Sequence, residues 1–227
     1  MKKNKTISGW GNFPTIEGKL TKVKSKNHLI ETVKKSKTVI YYGNGRSYGD
    51  SALNKRMVQY QRLNEPINFN PETGIAHMNA DVLIGDLIDH ILPFGWFPPV
   101  VPGTKFVTIG GAIAADIHGK NHHLKGCISQ HIISFDLLLP NGDIITCTRQ
   151  NNANLFNATC GGMGLTGIIL NAKIKMQPVE SQYVEQTCYK AENIEELFSH
   201  FEEYNSNSYS VAWLDCTAKD KNLGRGI

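Results

Sequence analysis

The chain has 227 residues, 41% of them hydrophobic and 19% charged, with a formal net charge of +4 at pH 7. That length can bury a full core, and the composition is that of an ordinary soluble protein. No stretch approaches the roughly 18 apolar residues of a membrane span and no charged-then-apolar leader opens the chain, so the reading is cytoplasmic, with the lysines of Met1 to Lys5 a solvated end rather than a nucleic-acid arm.

The first element in chain order is a candidate helix around His28 to Lys35, following a polar stretch that contains Trp10, Gly11 and Asn12. It leads to a β-branched and aromatic run, Thr38 to Tyr42, that reads as a strand. The run enters the most unusual segment of the chain: Tyr41, Tyr42, Gly43, Asn44, Gly45, Arg46, Ser47, Tyr48, Gly49, Asp50, Ser51. Three glycines within seven residues allow close backbone approach and let successive N–H groups face one concavity, while Arg46 and Ser47 add donors suited to phosphate oxygens. The spacing is not that of a dinucleotide-binding βαβ unit, and the alternative is a glycine-rich surface turn.

Further on, Ile67 to Phe69 and Ile75 to Met78 flank a turn sequence and predict a hairpin. Asp81 is expected to cap a helix over Val82 to Leu92, ended by Pro93 and Gly95, with His90 off its apolar stripe. Phe97 to Thr104 is too proline-rich for a central strand and delivers a second small-residue segment, Thr108 to His123. Bulky matter can pack against the backbone of residues 110–115, although small residues at this spacing also mark close helix packing. His118, His122 and His123 have no catalytic zinc spacing, and no metal is expected.

Ser129 to Leu139 and Asp143 to Thr148 bracket an Asn-Gly turn and predict a second hairpin. A short helix over Leu155 to Cys160, a third glycine-rich loop over Gly161 to Gly167 and a strand over Ile168 to Met176 follow. Three glycine-rich loops favour one large ligand touched by all three. Beyond Glu180 the expectations are a strand over Tyr183 to Tyr189, a helix over Glu192 to Tyr204 started by Asn193, and a strand over Tyr209 to Cys216. The cysteines, Cys127, Cys147, Cys160, Cys188 and Cys216, are odd in number and contain no C-x-x-C pair, which argues against a disulfide framework. Cys147, Cys188 and Cys216 lie in apolar-alternating runs and are expected to be buried.

Taken together, the segments GNGRSYGDSALN, VPGTKFVTIGGAIAADIHGKNHH, LLLPNGD and NATCGGMGLTGII, in this order, resemble the flavin-binding domain of vanillyl-alcohol-oxidase-type FAD-linked oxidases, and within them the branch acting on a polyprenyl-phosphoryl pentose. The resemblance implies an α+β, two-subdomain FAD-binding domain over residues 6–178 and the beginning of an α+β substrate domain over 179–227. It implies that Tyr41 to Ser51 hold the FAD diphosphate, that Gly103, Thr108, Ile109, Gly110, Gly111, Ala115, Asp116, Ile117 and His118 line the rest, and that Ile169 touches the adenine side. Some relatives attach FAD to a histidine where this chain has Arg46, so noncovalent FAD is expected. The implied chemistry is oxidation of a secondary sugar alcohol, with Lys120, His118 and Tyr48 as candidate catalytic residues. A lipid-linked substrate implies transient contact with a membrane surface and a reductase acting next in the pathway. An alditol or aldonolactone oxidase, or a non-catalytic nucleotide-binding module, are the alternatives.

Overall fold

The computed structural model describes residues 5–60 and 66–227, which leaves the lysine-bearing start, apart from Lys5, outside the described residues. Two sheets dominate. The first has four strands: β1 (Lys5–Ser8), β2 (Thr15–Val23), β3 (Ile40–Tyr41) and β4 (Arg56–Tyr60) in the order β1-β2-β4-β3. β1 runs antiparallel to β2, whereas β4 lies parallel to both β2 and β3. The crossover from β2 to β3 is carried by α1 (Lys26–Lys34), whose cap Ser25 accepts a hydrogen bond from the His28 N–H at 3.2 Å. Leu29 and Val33, four residues apart, bury one face of α1.

The second sheet is antiparallel throughout, with order β5-β6-β10-β8-β9. Its strands are β5 (Asn68–Asn70), β6 (Ile75–Asn79), β8 (Ile132–Leu138), β9 (Ile144–Cys147) and β10 (Ile168–Lys175), while β7 (Trp96–Phe97) pairs separately with β11 (Gln177–Pro178). Both predicted hairpins are present. In the first, Asn70 Oδ1 accepts from the N–H groups of Glu72 and Thr73; in the second, Asn141 Oδ1 accepts from the Asp143 N–H.

Helices α2 (Ile84–Ile91), α3 (Ile109–Ala114) and α5 (Ala153–Thr159) contribute to the core over the second sheet, where Ile84, Leu87, Ile91, Ile113, Phe135 and Phe156 are all but inaccessible to water. The rings of Phe135 and Phe156 stack at 5.2 Å. A smaller cluster of Val23, Leu29, Val33 and Val58 with Leu138 and Ile168 joins the two sheets. The glycine loops therefore hang from strands fixed against each other. The one-turn helix α4 (His122–Lys125) and helix α6 (Ile194–Glu203) complete the set, with Asn193 capping α6 through its contact with the Glu196 N–H at 2.9 Å.

Several expectations need correction. Helix α2 starts at Ile84 rather than behind an Asp81 cap, because Val82 and Leu83 are held extended by the Ile109 N–H donating to the Val82 carbonyl and by a bridge between Leu83 and Thr108. β3 is shorter than the run Thr38 to Tyr42 suggested. Residues 183–189 and 209–216 form no strands, since a strand needs a ladder partner and the described residues offer only isolated bridges of Ala191 and Leu214 with Gly226. Tyr183 and Val184 are accordingly exposed. Cys147 is buried as expected, but Cys188 and Cys216 are exposed for the same reason.

Candidate functional site

The first glycine loop leaves β3 at Tyr41 and is pinned on both sides. The Tyr42 N–H donates to the Val58 carbonyl at 2.8 Å, and Gln59 Nε2 donates to the Gly43 carbonyl at 2.7 Å. Asn44 Nδ2 donates to the Phe106 carbonyl at 2.8 Å, which ties the first loop to the second. Gly45 has φ +61°, and a Cβ there would fall 2.2 Å from the Tyr42 hydroxyl, so the turn requires glycine on two counts.

The second loop closes through Thr108, whose Oγ1 accepts from the Gly111 N–H at 3.1 Å and caps α3. Gly43 packs directly on that hydroxyl. The third loop is laced to the end of α3 by the Gly161 N–H donating to the Ile113 carbonyl at 3.1 Å and the Met163 N–H donating to the Ala114 carbonyl at 2.8 Å.

Between the three loops lies a cleft of about 770 Å³. This is within the usual range of ligand sites. From the first loop Tyr41, Gly43, Asn44, Gly45 and Arg46 line it, with Ser47, Tyr48 and Ser51 further along. From the second come Gly103, Thr108, Gly110 and Gly111, then Ala115, Ile117 and His118, while Ile169 of β10 closes the far side.

Six expected residues do not line the cleft. Tyr42 turns its hydroxyl to the Ser8 carbonyl at 3.1 Å. Gly49 backs on Gly9, and the Asp50 carbonyl accepts from the Leu53 N–H. Ile109 is a core residue. Asp116, at φ +42°, accepts from the Ser129 N–H and hydroxyl at 2.9 and 3.0 Å and so shapes the backbone before His118. Lys120 is exposed, and its carbonyl accepts from the Ser210 N–H at 2.9 Å.

The cleft also takes residues that the sequence reading left out: Trp10, Ala52, Pro102, Thr104 and Val107, with Ala114, Met163, Gly164 and Gly167. The third-loop members could have been found from the glycine run that names the loop. Trp10 carried no local signal, because its place depends on a contact with residues almost forty positions away.

Arg46 is the cation of the cleft wall. Its Nη1 donates to the Asn44 carbonyl at 2.9 Å, the rings of Trp10 and Phe106 lie 5.5 and 5.7 Å from the guanidinium carbon, and its Nε is buried without a partner. A buried donor on a charged group left unpaired is costly, and an anionic oxygen is the natural acceptor. Around His118 the chemistry is different: its ring meets that of His122 edge-on at 5.4 Å, and Cys127 Sγ lies 4.0 Å from His122 Nδ1. Burial, with the Asp116 charge, pushes the Cys127 thiol up. No group of three or more metal-ligating side chains occurs among the described residues.

A mixed α+β fold in which three glycine-rich loops meet at one cleft, with an under-satisfied arginine in its wall, defines a protein built for a large phosphate-bearing cofactor. A model of the FAD binding domain family matches residues 20–148, and the chain belongs to that family of FAD-linked oxidoreductases. It is 36% identical to decaprenylphosphoryl-beta-D-ribose oxidase of Mycolicibacterium smegmatis over 97% of this chain and 50% of that protein. It is 25% identical to L-gulonolactone oxidase of Bos taurus over 92% of this chain and 50% of that one. It is also 24% identical to D-arabinono-1,4-lactone oxidase of Yarrowia lipolytica over 63% and 28%. The chain thus spans half or less of the length of these relatives.

The residues present fit FAD. The unpaired Arg46 Nε asks for an anionic oxygen, and no atom lies within 4 Å of the position a Gly103 Cβ would occupy, so the backbone there is open to a bulky group.

Proposed function

We propose that the chain is the flavin-binding part of an oxidoreductase that oxidises a secondary alcohol of a sugar, the 2'-hydroxyl of a polyprenyl-phosphoryl pentose, with FAD held noncovalently. The observation that carries the cofactor reading is the meeting of three glycine-rich loops at a single cleft. The substrate reading is supported by the 36% identity to a decaprenylphosphoryl-ribose oxidase.

Bound in the cleft, the flavin supplies a two-electron acceptor for a hydride. The loop from Gly43 to Ser47 would hold the diphosphate through backbone N–H groups and Arg46. Gly103, Gly110 and Gly111 leave room for a flat ring beside the backbone, and Ile169 offers an apolar contact at the far side. His118, on the cleft wall, accepts the proton of the sugar hydroxyl as the carbon–oxygen double bond forms. Lys120, two residues on, is exposed and outside the cleft lining, so it is not assigned a part in this step. Tyr48, at the exposed rim, borders the substrate entrance. The keto product is then material for a reductase, and a lipid-linked substrate is collected at a membrane surface.

Arg46 stands where a histidyl attachment would need an imidazole, which supports the noncovalent reading. The test is the visible spectrum of the purified chain, repeated on the supernatant after acid precipitation. Flavin bands in the supernatant are expected; a yellow pellet refutes noncovalent attachment, and a colourless protein that takes up no added FAD refutes the cofactor reading. Reduction of bound flavin by a polyprenyl-phosphoryl ribose, but not by a free aldonolactone, is the expected substrate result. The reverse preference would move the protein to the lactone oxidases.

A further inference from the structure

The N-terminal segment is stitched onto the first glycine loop. The Trp10 N–H donates to the Ser47 carbonyl at 2.9 Å, the Tyr42 hydroxyl donates to the Ser8 carbonyl at 3.1 Å, and a Cβ on Gly9 would lie 2.5 Å from the Ser47 oxygen. These contacts place the Trp10 ring on the cleft wall with the Arg46 guanidinium carbon 5.5 Å from its centroid. Residues 8–10 lie outside the segment matched by the family model, which begins at residue 20.

We infer that Trp10 is a positioning residue for the cofactor: together with Phe106 it holds Arg46 on the cleft wall so that the guanidinium meets the diphosphate. An arginine side chain loses much rotamer freedom when fixed, and a ring contact supplies that fixation before the anion arrives. Among the described residues Nη1 of the guanidinium donates to the Asn44 carbonyl and the buried Nε has no partner. The two rings lie within cation–π distance of a group whose remaining hydrogen-bonding demand is anionic. A residue that positions Arg46 acts on the phosphates and leaves the affinity of the flavin ring alone, which separates it from a contact that shapes the whole cleft.

This inference rests on the reading that the cleft binds FAD, and the experiment separates the two. FAD and riboflavin are titrated by flavin fluorescence into the wild-type chain and the variants Trp10→Ala, Trp10→Phe and Phe106→Ala, each checked for folding by circular dichroism. Trp10→Ala is expected to weaken FAD by roughly 5- to 30-fold, the range of a partly desolvated cation–π contact, with riboflavin affinity unchanged. Trp10→Phe should restore FAD binding to within about threefold of wild type, because a phenyl ring keeps a weaker version of the same contact. Should Trp10→Ala fail to fold, Phe106→Ala removes the other ring and is expected to show the same FAD-selective loss. Unchanged FAD affinity in the folded variants, or an equal loss for FAD and riboflavin, overturns the positioning role while leaving FAD binding intact. Failure of the wild-type chain to bind FAD at all overturns the cofactor reading and this inference with it.

Discussion

The junction between the first two glycine loops gives the most direct test of how the site is built. Gly43 has no positive φ, so alanine there meets no backbone strain; the obstacle is steric, a Cβ 2.8 Å from Thr108 Oγ1. Neither side gives easily. The Gly43 carbonyl is held by Gln59 Nε2 at 2.7 Å, and the buried Thr108 hydroxyl is the acceptor for the Gly111 N–H at 3.1 Å. Turning the hydroxyl away forfeits a helix cap worth about 0.5–2 kcal/mol, while shifting the loop loosens a hydrogen bond worth about 0.5–1.5 kcal/mol. Gly43→Ala should therefore cost about 1–3 kcal/mol, a Tm loss of about 3–10 °C for a chain of this size. Calorimetry or circular dichroism reads it. The control is the double variant: with Thr108→Ala the obstructing oxygen is gone, so adding Gly43→Ala should cost little, giving a coupling energy of about 1 kcal/mol or more. If Gly43→Ala costs the same with and without the Thr108 hydroxyl, the loops are not braced against each other at this point.

Gly103→Val, whose side chain would meet no protein atom within 4 Å of its Cβ, should leave folding stability within about 0.5 kcal/mol of wild type yet lower FAD affinity about tenfold or more, since it fills cleft space; equal FAD titrations would refute it. For Asp136, burial raises the carboxyl pKa, but hydrogen bonds from Thr146 and Asn171, aided by the Lys26 and His77 charges, outweigh it and hold the group below its ordinary value of 3.8. A folded-state pKa that is depressed gives stability that is fully present above 3.8 and lost as pH falls through the lower folded value, so the stability gap between wild type and Asp136→Asn should close in acid; a gap independent of pH would sink that assignment. Thiol labelling of the native chain at neutral pH should be fast at exposed Cys188 and Cys216 and slow at buried Cys147 and at Cys160, whose thiol burial pushes up to about 12; mass spectrometry of the labelled peptides checks the order.

The glycine loops were legible because their signal is local. A run such as Gly43, Asn44, Gly45 departs from every regular element within a few residues, and the hairpin turns at Asn70 and Asn141 carry their own hydrogen-bond chemistry. The same local view could not separate residues that face the ligand from those that hold them. Within one motif Gly110 lines the cleft while its neighbour Ile109 is core, and Ala115 lines it while Asp116 turns away to Ser129. The alternation follows from the helix α3 and the left-handed turn behind it, both of which depend on packing against the third loop.

Residues 183–189 and 209–216 failed as strands for the converse reason. Their apolar alternation is a true β pattern, but alternation specifies a face, and a strand forms only where a partner supplies its backbone bonds. Besides pairing Trp213 with Ile227, the second segment and the residues just before it make two anchoring contacts: the Ser210 N–H to the Lys120 carbonyl at 2.9 Å, and a hydrogen bond between His123 Nε2 and the Asn207 carbonyl at 3.0 Å. Both fall on the turn that follows His118. Residues 207–210 are thereby fastened to the backbone between Lys120 and His123, next to the cleft-lining His118.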